Sequence, residues 1–203
     1  MMKNKALKGV LVLVILTLLS GVSLGAVNAV TKEPIARAEE EKKTEAYRIV
    51  SPGADTFKVT EDADPEEAAA VLEAAGFPND TIDEVVTSYK GEKTAGYVIT
   101  VTDSAGYGGD IRYTVGLDTE GVITGITFLS LSESPGLGME ARDNPDWRTQ
   151  YIGRSEPDLT VVKTGEAAPD GIDALSGATI TSKAVTSGVN AVLTYYREVL
   201  QKP

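Results

Sequence analysis

The clearest pattern along the chain is a long apolar run near its N-terminus. Residues 9–30 carry no charge, and a helix of that length spans a hydrocarbon layer of roughly 30 Å at about 1.5 Å per residue. Lys3, Lys5 and Lys8 precede the run without an acid, whereas acids and bases are mixed after it. The positive-inside bias therefore predicts a cytoplasmic segment 1–8, a single transmembrane anchor and an extracytoplasmic remainder.

A cleaved signal peptide is the alternative interpretation of this run. Val27-Asn28-Ala29 places small residues where a signal peptidase would cut, but the apolar run exceeds the usual length of about 7–15 residues. Both interpretations place the following domain outside the cytoplasm. Residues 31–50 are then rich in Ala and Glu and lack Gly, which predicts a helical stalk that ends at Ser51-Pro52-Gly53.

The remaining pattern alternates between helical and strand periods, which predicts an α+β domain over 51–203. Asp64 and Pro65 are typical of the N-cap and first residue of a helix, and Gly76 is typical of its end. Apolar or alternating runs predict strands at 97–101, 111–115, 122–129 and 159–162. Their short, Gly-containing connections favour a largely antiparallel sheet flanked by helices. A last helix is predicted from about Ser182 to Leu200, with an apolar face formed by Val185, Val189, Val192, Tyr196 and Val199.

Composition narrows the possible chemistry. The 203 residues include 19 Lys+Arg and 30 Asp+Glu, so the net charge of −11 argues against a nucleic-acid partner. There is no Cys and no His, which excludes disulfides, Ser–His–Asp and Cys–His catalysis and ordinary iron–sulfur clusters. We predict no metal site, and any redox chemistry would need an organic cofactor. Any hydrolytic chemistry would rest on carboxylates, Lys, Ser or Thr.

The segment from Asp173 to Ser182 is small, hydroxyl-rich and opens onto the last helix. Gly177 and Ala178 allow a ligand to approach the backbone closely. The four hydroxyls of the segment belong to Ser176, Thr179, Thr181 and Ser182. A helix start adds unpaired N–H groups and a positive dipole end, which favours an anion or phosphate site. The alternative is a plain helix start capped by Thr181 or by Ser182.

This segment resembles the flavinylation motif Asp-x-x-Ser/Thr-Gly-Ala-Thr of the FMN-binding G subunit of the Rnf electron-transport complex. The related C subunit of the Na⁺-translocating NADH:quinone reductase shares that motif. The five motif positions are occupied without mismatch by Asp173, Ser176, Gly177, Ala178 and Thr179. The resemblance continues in Thr31-Lys32-Glu33-Pro34-Ile35, Gly106-Tyr107-Gly108-Gly109, Gly121-Val122-Ile123, Glu133-Ser134-Pro135-Gly136-Leu137-Gly138 and Ser182-Lys183-Ala184-Val185. Ser134 replaces the Thr that the family has at its position and keeps the hydroxyl.

The resemblance implies that Thr179 carries FMN through a phosphoester bond, made by a separate flavin transferase that uses FAD. It implies an electron-transfer subunit of a membrane-bound Rnf-type ion-translocating ferredoxin:NAD oxidoreductase, with the other subunits as partners. The protein would cross the cell inner (cytoplasmic) membrane once, with 51–203 as its extracytoplasmic FMN-binding domain. The further cofactor-binding residues implied are Asp173, Ser176, Gly177, Ala178, Thr181, Ser182, Glu133, Ser134, Pro135, Gly136, Leu137, Gly138 and Tyr107.

Individual roles and the wider function keep alternatives at this point. Gly136 and Gly138 would leave a bare backbone against a flat flavin ring. Tyr107 could contact the flavin or pack at a strand edge, Glu133 could polarise the flavin or be a solvated turn residue, and Trp147 could be a packing anchor or a flavin stacker. The domain could also serve another chain, such as the quinone reductase or an extracellular electron route. A non-redox envelope binding module is the alternative from a different class.

Overall fold

The computed structural model describes residues 2–60, 63–163, 165 and 168–201. The chain divides into two compact units, Met1–Lys43 and Thr44–Pro203. Most of helix α1 (Met2–Val50) belongs to the first unit, and its large apolar side chains from Val10 to Val30 are exposed. Within the described residues, α1 is the one helix long and apolar enough to cross a membrane, judged by length and composition alone. The predicted long apolar N-terminal helix is therefore confirmed.

A five-stranded sheet forms the centre of the second unit. Its strands are β1 (Thr56–Val59), β2 (Asp80–Lys90), β3 (Lys93–Asp103), β4 (Ile111–Asp118) and β5 (Ile123–Ser130). They lie in sequence order, and every neighbouring pair is antiparallel. The tight β4–β5 turn is held by Asp118, whose carboxylate accepts the N–H groups of Glu120 and Val122. The predicted strands β3, β4 and β5 and their antiparallel pairing are confirmed.

Strand β2 was not predicted, although it pairs with β3 along its whole length. Its first half contains Asp80, Asp83 and Glu84, which break the alternation that predicts a strand. The charge of Asp83 is matched across the sheet, since its Oδ2 accepts bonds from Arg112 Nε at 2.8 Å and Thr102 Oγ1 at 2.7 Å. Cross-strand pairing therefore stabilises a strand that the local pattern does not reveal. The short strand β1 was also missed.

Helix α2 (Pro65–Ala75) forms as its sequence predicts. The Asp64 side chain accepts the N–H of Glu66, and Pro65 is the first helical residue. Gly76 ends the helix in the left-handed conformation, with φ of 89°. The helix then packs on the inner face of the sheet through buried Ala68 and Leu72.

The last helix, α5 (Thr179–Tyr195), begins three residues before its predicted start and passes into a π-helical turn, Tyr196–Leu200. Its predicted apolar face packs against the inner face of the sheet, and Val185, Val189 and Val192 are fully buried. The elements between β5 and α5 are the short helices α3 (Glu140–Asp143) and α4 (Pro145–Thr149) and the parallel strand pair β6 (Thr160–Val162) and β7 (Gly171–Asp173). Strand β7 was not predicted.

The outer face of the sheet holds a second, smaller core beneath the last turn of α1. Its members are Tyr47, Val50, Val86 and Val98, with Phe57 packed against them. Gly116 and Gly125 make room for that turn, because a Cβ on Gly116 would lie 2.0 Å from the Val50 carbonyl oxygen. Thr124 Oγ1 donates a hydrogen bond to the same oxygen. The end of α1 is thus seated on the sheet by backbone contacts.

Candidate cofactor site

A cavity of about 400 Å³ lies at the N-terminus of α5. Three segments meet there: the loop after β3, the segment after β5 and the first turn of α5 with the loop before it. The lining residues are Tyr107, Glu133, Ser134, Leu137, Gly138, Gly177, Ala178, Thr179, Ile180 and Thr181. The volume falls in the range of small-molecule sites, which is roughly 300–1,000 Å³.

The first turn of α5 forms one wall of the cavity. The N-cap is Ala178, and no side chain caps the helix, so the alternative that Thr181 or Ser182 is the cap is wrong. The N–H groups of the first turn have no partner within the helix and carry its positive dipole end. Thr179 is the first helical residue and is exposed, so its hydroxyl is accessible from the cavity.

The buried hydroxyl of Thr181 also belongs to this wall. Thr181 is 1% exposed, and its Oγ1 has no hydrogen-bond partner among the described residues. Burying an unpaired hydroxyl is unfavourable by about 1–3 kcal/mol. An acceptor oxygen of a ligand in the cavity would satisfy this group, so the donor set fits a phosphate held by backbone N–H groups and one hydroxyl.

Ser182 fixes the shape of the loop before α5 instead of facing the cavity. Its side chain is fully buried, its Oγ accepts the N–H of Leu175 at 2.9 Å, and it donates to the carbonyl of Ala178 at 2.9 Å. Gly177 lies between these two points with φ of 72°, a conformation that favours glycine. The predicted hydroxyl cluster is therefore divided between a cavity-facing pair and a structural serine, while Ser176 is exposed off the wall.

Glu133 joins the segment after β5 to the loop after β3. Its side chain is 7% exposed, and its Oε1 accepts the N–H of Gly108 at 3.2 Å. Gly138 lies on its other side, where an added Cβ would be 2.6 Å from both Glu133 Oε2 and Thr181 Oγ1. Glu133 is thus a buried residue, and the alternative of a solvated turn residue is wrong. Gly138 is required because two cavity side chains converge on its α-carbon.

Pro135 and Gly136 form the exposed tip of the turn from Ser134 to Leu137, and the structure does not bring them to the cavity wall. The N–H of Leu137 bonds to the carbonyl of Ser134 at 3.2 Å. Gly136 has φ of 71°, and proline followed by glycine at these positions is typical of a type II turn. Gly136 therefore shapes the turn, whereas Ser134 and Leu137 at its two ends line the cavity.

The rim of the cavity is apolar and open to solvent. Tyr107 is 70% exposed, Ile180 is 51% exposed and Leu137 is 43% exposed. Ile180 was not predicted as a site residue. The sequence feature that could have revealed it is an apolar side chain directly after Thr179, in the exposed first turn of the helix. The ten lining residues include one acid and no Lys or Arg, so an anion there relies on backbone N–H groups and hydroxyls.

Asp173 and Trp147 support the site from behind. The Trp147 indole N–H donates to the carbonyl of Asp173 at 2.7 Å, and the indole packs edge-on against Tyr151 with ring centroids 5.5 Å apart. Asp173 Oδ1 accepts the N–H of Gly165. Trp147 is thus a packing anchor, which was one of its two predicted roles. Asp173 stabilises β7 and lies outside the cavity lining.

Residues 106–194 match the FMN-binding domain family. The matched range begins at the Tyr107 wall of the cavity and runs almost to the end of α5, so it covers all ten lining residues. The fold and the site therefore define an FMN-binding domain.

Relatives that match over most of the chain identify the family. The chain is 33% identical over 191 residues to the G subunit of the Na(+)-translocating ferredoxin:NAD(+) oxidoreductase complex of Acetobacterium woodii, covering 93% of this chain and 90% of the relative. It is 32% identical over 177 residues to the G subunit of the proton-translocating ferredoxin:NAD(+) oxidoreductase complex of Clostridium ljungdahlii, covering 87% and 84%. The chain belongs to this family of Rnf G subunits, as the motif resemblance implied.

Two further similarities concern a related protein. Over 80 residues the chain is 42% identical to the C subunit of the Na(+)-translocating NADH-quinone reductase of Vibrio anguillarum, covering 35% of this chain and 31% of that protein. The crystal structure of the C subunit of the same kind of reductase from Parabacteroides distasonis superposes with a TM-score of 0.57 at 21% identity, covering 82% of this chain and 96% of that one. The second comparison shows a shared fold.

Proposed function

We propose that Thr179 carries FMN as a phosphoester and that the chain transfers electrons as a membrane-anchored subunit of an Rnf-type complex. The observation that carries this proposal is an exposed Thr179 hydroxyl at the uncapped start of α5, beside the unpaired Thr181 hydroxyl. The proposed FMN supplies the redox chemistry, which a chain without Cys or His needs from a cofactor. The protein supplies position and electrostatics.

Each wall then has a separate role toward the cofactor. The first-turn N–H groups and the Thr181 hydroxyl hold the phosphate oxygens, where the helix dipole stabilises negative charge by roughly 0.3–1 kcal/mol. The apolar side chains of Tyr107, Leu137 and Ile180 contact the ring system at the rim. Electrons can enter and leave there because this rim is open to solvent and to partner subunits.

Attachment needs a flavin transferase with FAD as the donor. The Thr179 oxygen displaces AMP from the phosphorus next to riboflavin, one phosphoester bond replaces the pyrophosphate bond, and the hydroxyl proton is released. The cavity wall offers no Lys, Arg or metal-binding cluster that would promote this displacement, and the described residues contain no group of three metal-binding acids. The catalyst is therefore a second protein.

Mass spectrometry of Thr179→Ala tests the attachment. The full chain is produced with and without a flavin transferase, and intact mass and in-gel flavin fluorescence are measured after denaturation. We expect covalent FMN on the wild-type protein only when the transferase is present, and none on Thr179→Ala in either case. Thr94→Ala is the matched control, because it removes an exposed threonine hydroxyl that lies outside both the motif and the cavity wall. Covalent flavin on Thr179→Ala would refute the assignment.

The domain from Thr44 onward is proposed to face away from the cytoplasm. The proposal is supported by the three lysines before the apolar run, Lys3, Lys5 and Lys8, which the positive-inside rule retains in the cytoplasm. Protease added to the outside of intact spheroplasts should digest the domain. Complete protection until the membrane is lysed would reverse this topology.

A further inference from the structure

Two buried carboxyl groups lie opposite each other at the ends of β2 and β3. Asp80 and Asp103 are directly paired in the antiparallel register, and they are 6% and 1% exposed. Neither forms a salt bridge within the described part of the chain. Asp80 Oδ1 and Asp103 Oδ2 are buried without a hydrogen-bond partner among the described residues. A proton held between the two carboxyl groups would give both oxygens a partner.

The surroundings decide which carboxyl holds the proton. Burial, followed by the charge of Asp103, raises the pKa of Asp80 to about 7, although a bond from Ser187 opposes the shift. Burial also raises the pKa of Asp103, against the lowering effect of the Ala105 N–H, and the charge of Asp110 adds to the rise. The bond between the two carboxyls raises the pKa of Asp80 and lowers the pKa of Asp103, which favours Asp80 as the donor in that bond.

Apart from the acidic Asp110, the groups of β4 and α5 that face the pair are neutral. The Tyr113 hydroxyl on β4 donates to the carbonyl of Val185 at 2.6 Å, and burial raises the pKa of Tyr113 well above its ordinary value. Helix α5 contributes the Ser187 hydroxyl and the bare α-carbon of Gly188, where a Cβ would lie 2.9 Å from Asp80 Oδ1. No cation among the described groups is placed to compensate a second negative charge.

The pair joins two walls of the cofactor cavity. Asp103 Oδ1 accepts the N–H of Ala105 at 2.6 Å, which fixes the start of the loop 104–110 that carries Tyr107. On the other side, Ser187 Oγ donates to Asp80 Oδ2 at 2.6 Å and ties the pair to α5, whose first turn lines the cavity. The pair therefore has a hydrogen bond both to the loop that carries Tyr107 and to the helix whose first turn lines the cavity.

We propose that Asp80 and Asp103 share one proton and act as positioning residues for the cofactor cavity. The shared proton holds the loop 104–110 and α5 in a fixed relation. Its loss leaves two buried like charges, which repel and move the loop that carries Tyr107. The predicted consequence for bound FMN rests on the proposed function, whereas the shared proton and the loop movement do not.

Two flavin-independent measurements test the proposal on the full-length, unmodified chain in detergent. Infrared spectroscopy should detect a neutral carboxyl that titrates near the Asp80 pKa of about 7. Hydrogen exchange, corrected for its intrinsic pH dependence, should show that amides 105–109 lose protection across the same range. In Asp80→Asn, whose amide still donates to Asp103, the carboxyl signal should vanish and the protection should become independent of pH.

Asp83→Asn is the matched control, because Asp83 lies on the same strand but is exposed and paired with Arg112. It should retain both wild-type signals. If Asp80→Asn does not fold, the wild-type titration decides alone. Absence of a titrating neutral carboxyl refutes the shared proton, and its presence with unchanged protection at 105–109 refutes the positioning role.

The flavinylated chain provides the functional readout. Its midpoint potential should show a change of slope against pH near the titration of the pair, which Asp80→Asn removes and Asp83→Asn keeps. An identical slope in all three proteins overturns the link to the cofactor. Failure of the flavin to attach at all would contradict the proposed function, and the two flavin-free measurements would still decide the present proposal.

Discussion

Replacement of Thr181 by valine tests whether the Thr181 hydroxyl serves the stability of the fold or the binding of the cofactor. Valine keeps the shape of threonine and exchanges the hydroxyl for a methyl group. The hydroxyl of Thr181 is buried without a partner in the described structure, so its removal abolishes a desolvation penalty of about 1–3 kcal/mol. We therefore expect Thr181→Val to stabilise the unmodified protein by on the order of 1 kcal/mol.

Thr186, five residues further along α5, provides a matched control. It is 3% exposed, and its hydroxyl bonds to the carbonyl of Ser182 and to the Tyr151 hydroxyl, both at 2.8 Å. Thr186→Val removes both bonds and leaves the fully buried Tyr151 hydroxyl unpaired. The same substitution should therefore destabilise the protein by about 1–3 kcal/mol, with a sign opposite to that of Thr181→Val.

Urea unfolding of the detergent-solubilised chain, made without the transferase, measures both changes. Trp147 is the sole tryptophan and is buried in the domain, so its fluorescence reports unfolding directly. In the flavinylated protein the sign for Thr181→Val should reverse, because a bond from its hydroxyl to a charged phosphate contributes about 1.5–3 kcal/mol. Destabilisation of the unmodified protein by Thr181→Val would refute the claim that this hydroxyl is unpaired until a ligand accepts its hydrogen bond.

Two further outcomes follow from the same structure. Gly138→Ala should reduce flavin occupancy with little change in circular dichroism, because the added methyl group clashes with two cavity side chains. Gly136→Ala should retain flavin and lose about 1–2 kcal/mol of stability, because the position has a positive φ. Stability should also fall as pH rises from about 4 to about 7, since the pKa of Asp80 is raised from 3.8 to about 7 and the folded state binds more protons in that window. Urea midpoints measured across this window should show that decline in the wild type and its loss in Asp80→Asn.

The sequence predicted those parts of the fold whose signals are local. Helix α2 has its cap, proline and terminal glycine within a few residues, and β3 to β5 are apolar or alternating runs with short turns. Strand β2 was missed because its acids have their partners on other elements. Asp83 pairs with Arg112 on β4, and Asp80 lies opposite Asp103 on β3. Long-range pairing of this kind leaves no periodic pattern.

In the site, too, the sequence predicted what a local motif encodes and missed what depends on three-dimensional geometry. The motif identified the segment at the start of α5, but it could not separate Thr181, which faces the cavity, from Ser182, which braces the loop. Successive residues of a helix point about 100° apart, so the register of the helix start decides each role, and that start differs from the prediction by three residues. In the same way, only the turn geometry shows that Gly136 lies outside the wall while Gly138 lies in it.

The seat of α1 on the outer face of the sheet has a practical consequence for anyone who wishes to release the domain from its anchor. Cutting the chain at Ser51, where the sequence marks a helix end, would remove Tyr47 and Val50 and uncover Val86 and Val98. The result would be an apolar patch beside edge strand β1, which is a surface prone to self-association. A soluble fragment that begins before Thr44 keeps this patch covered by the last turn of α1.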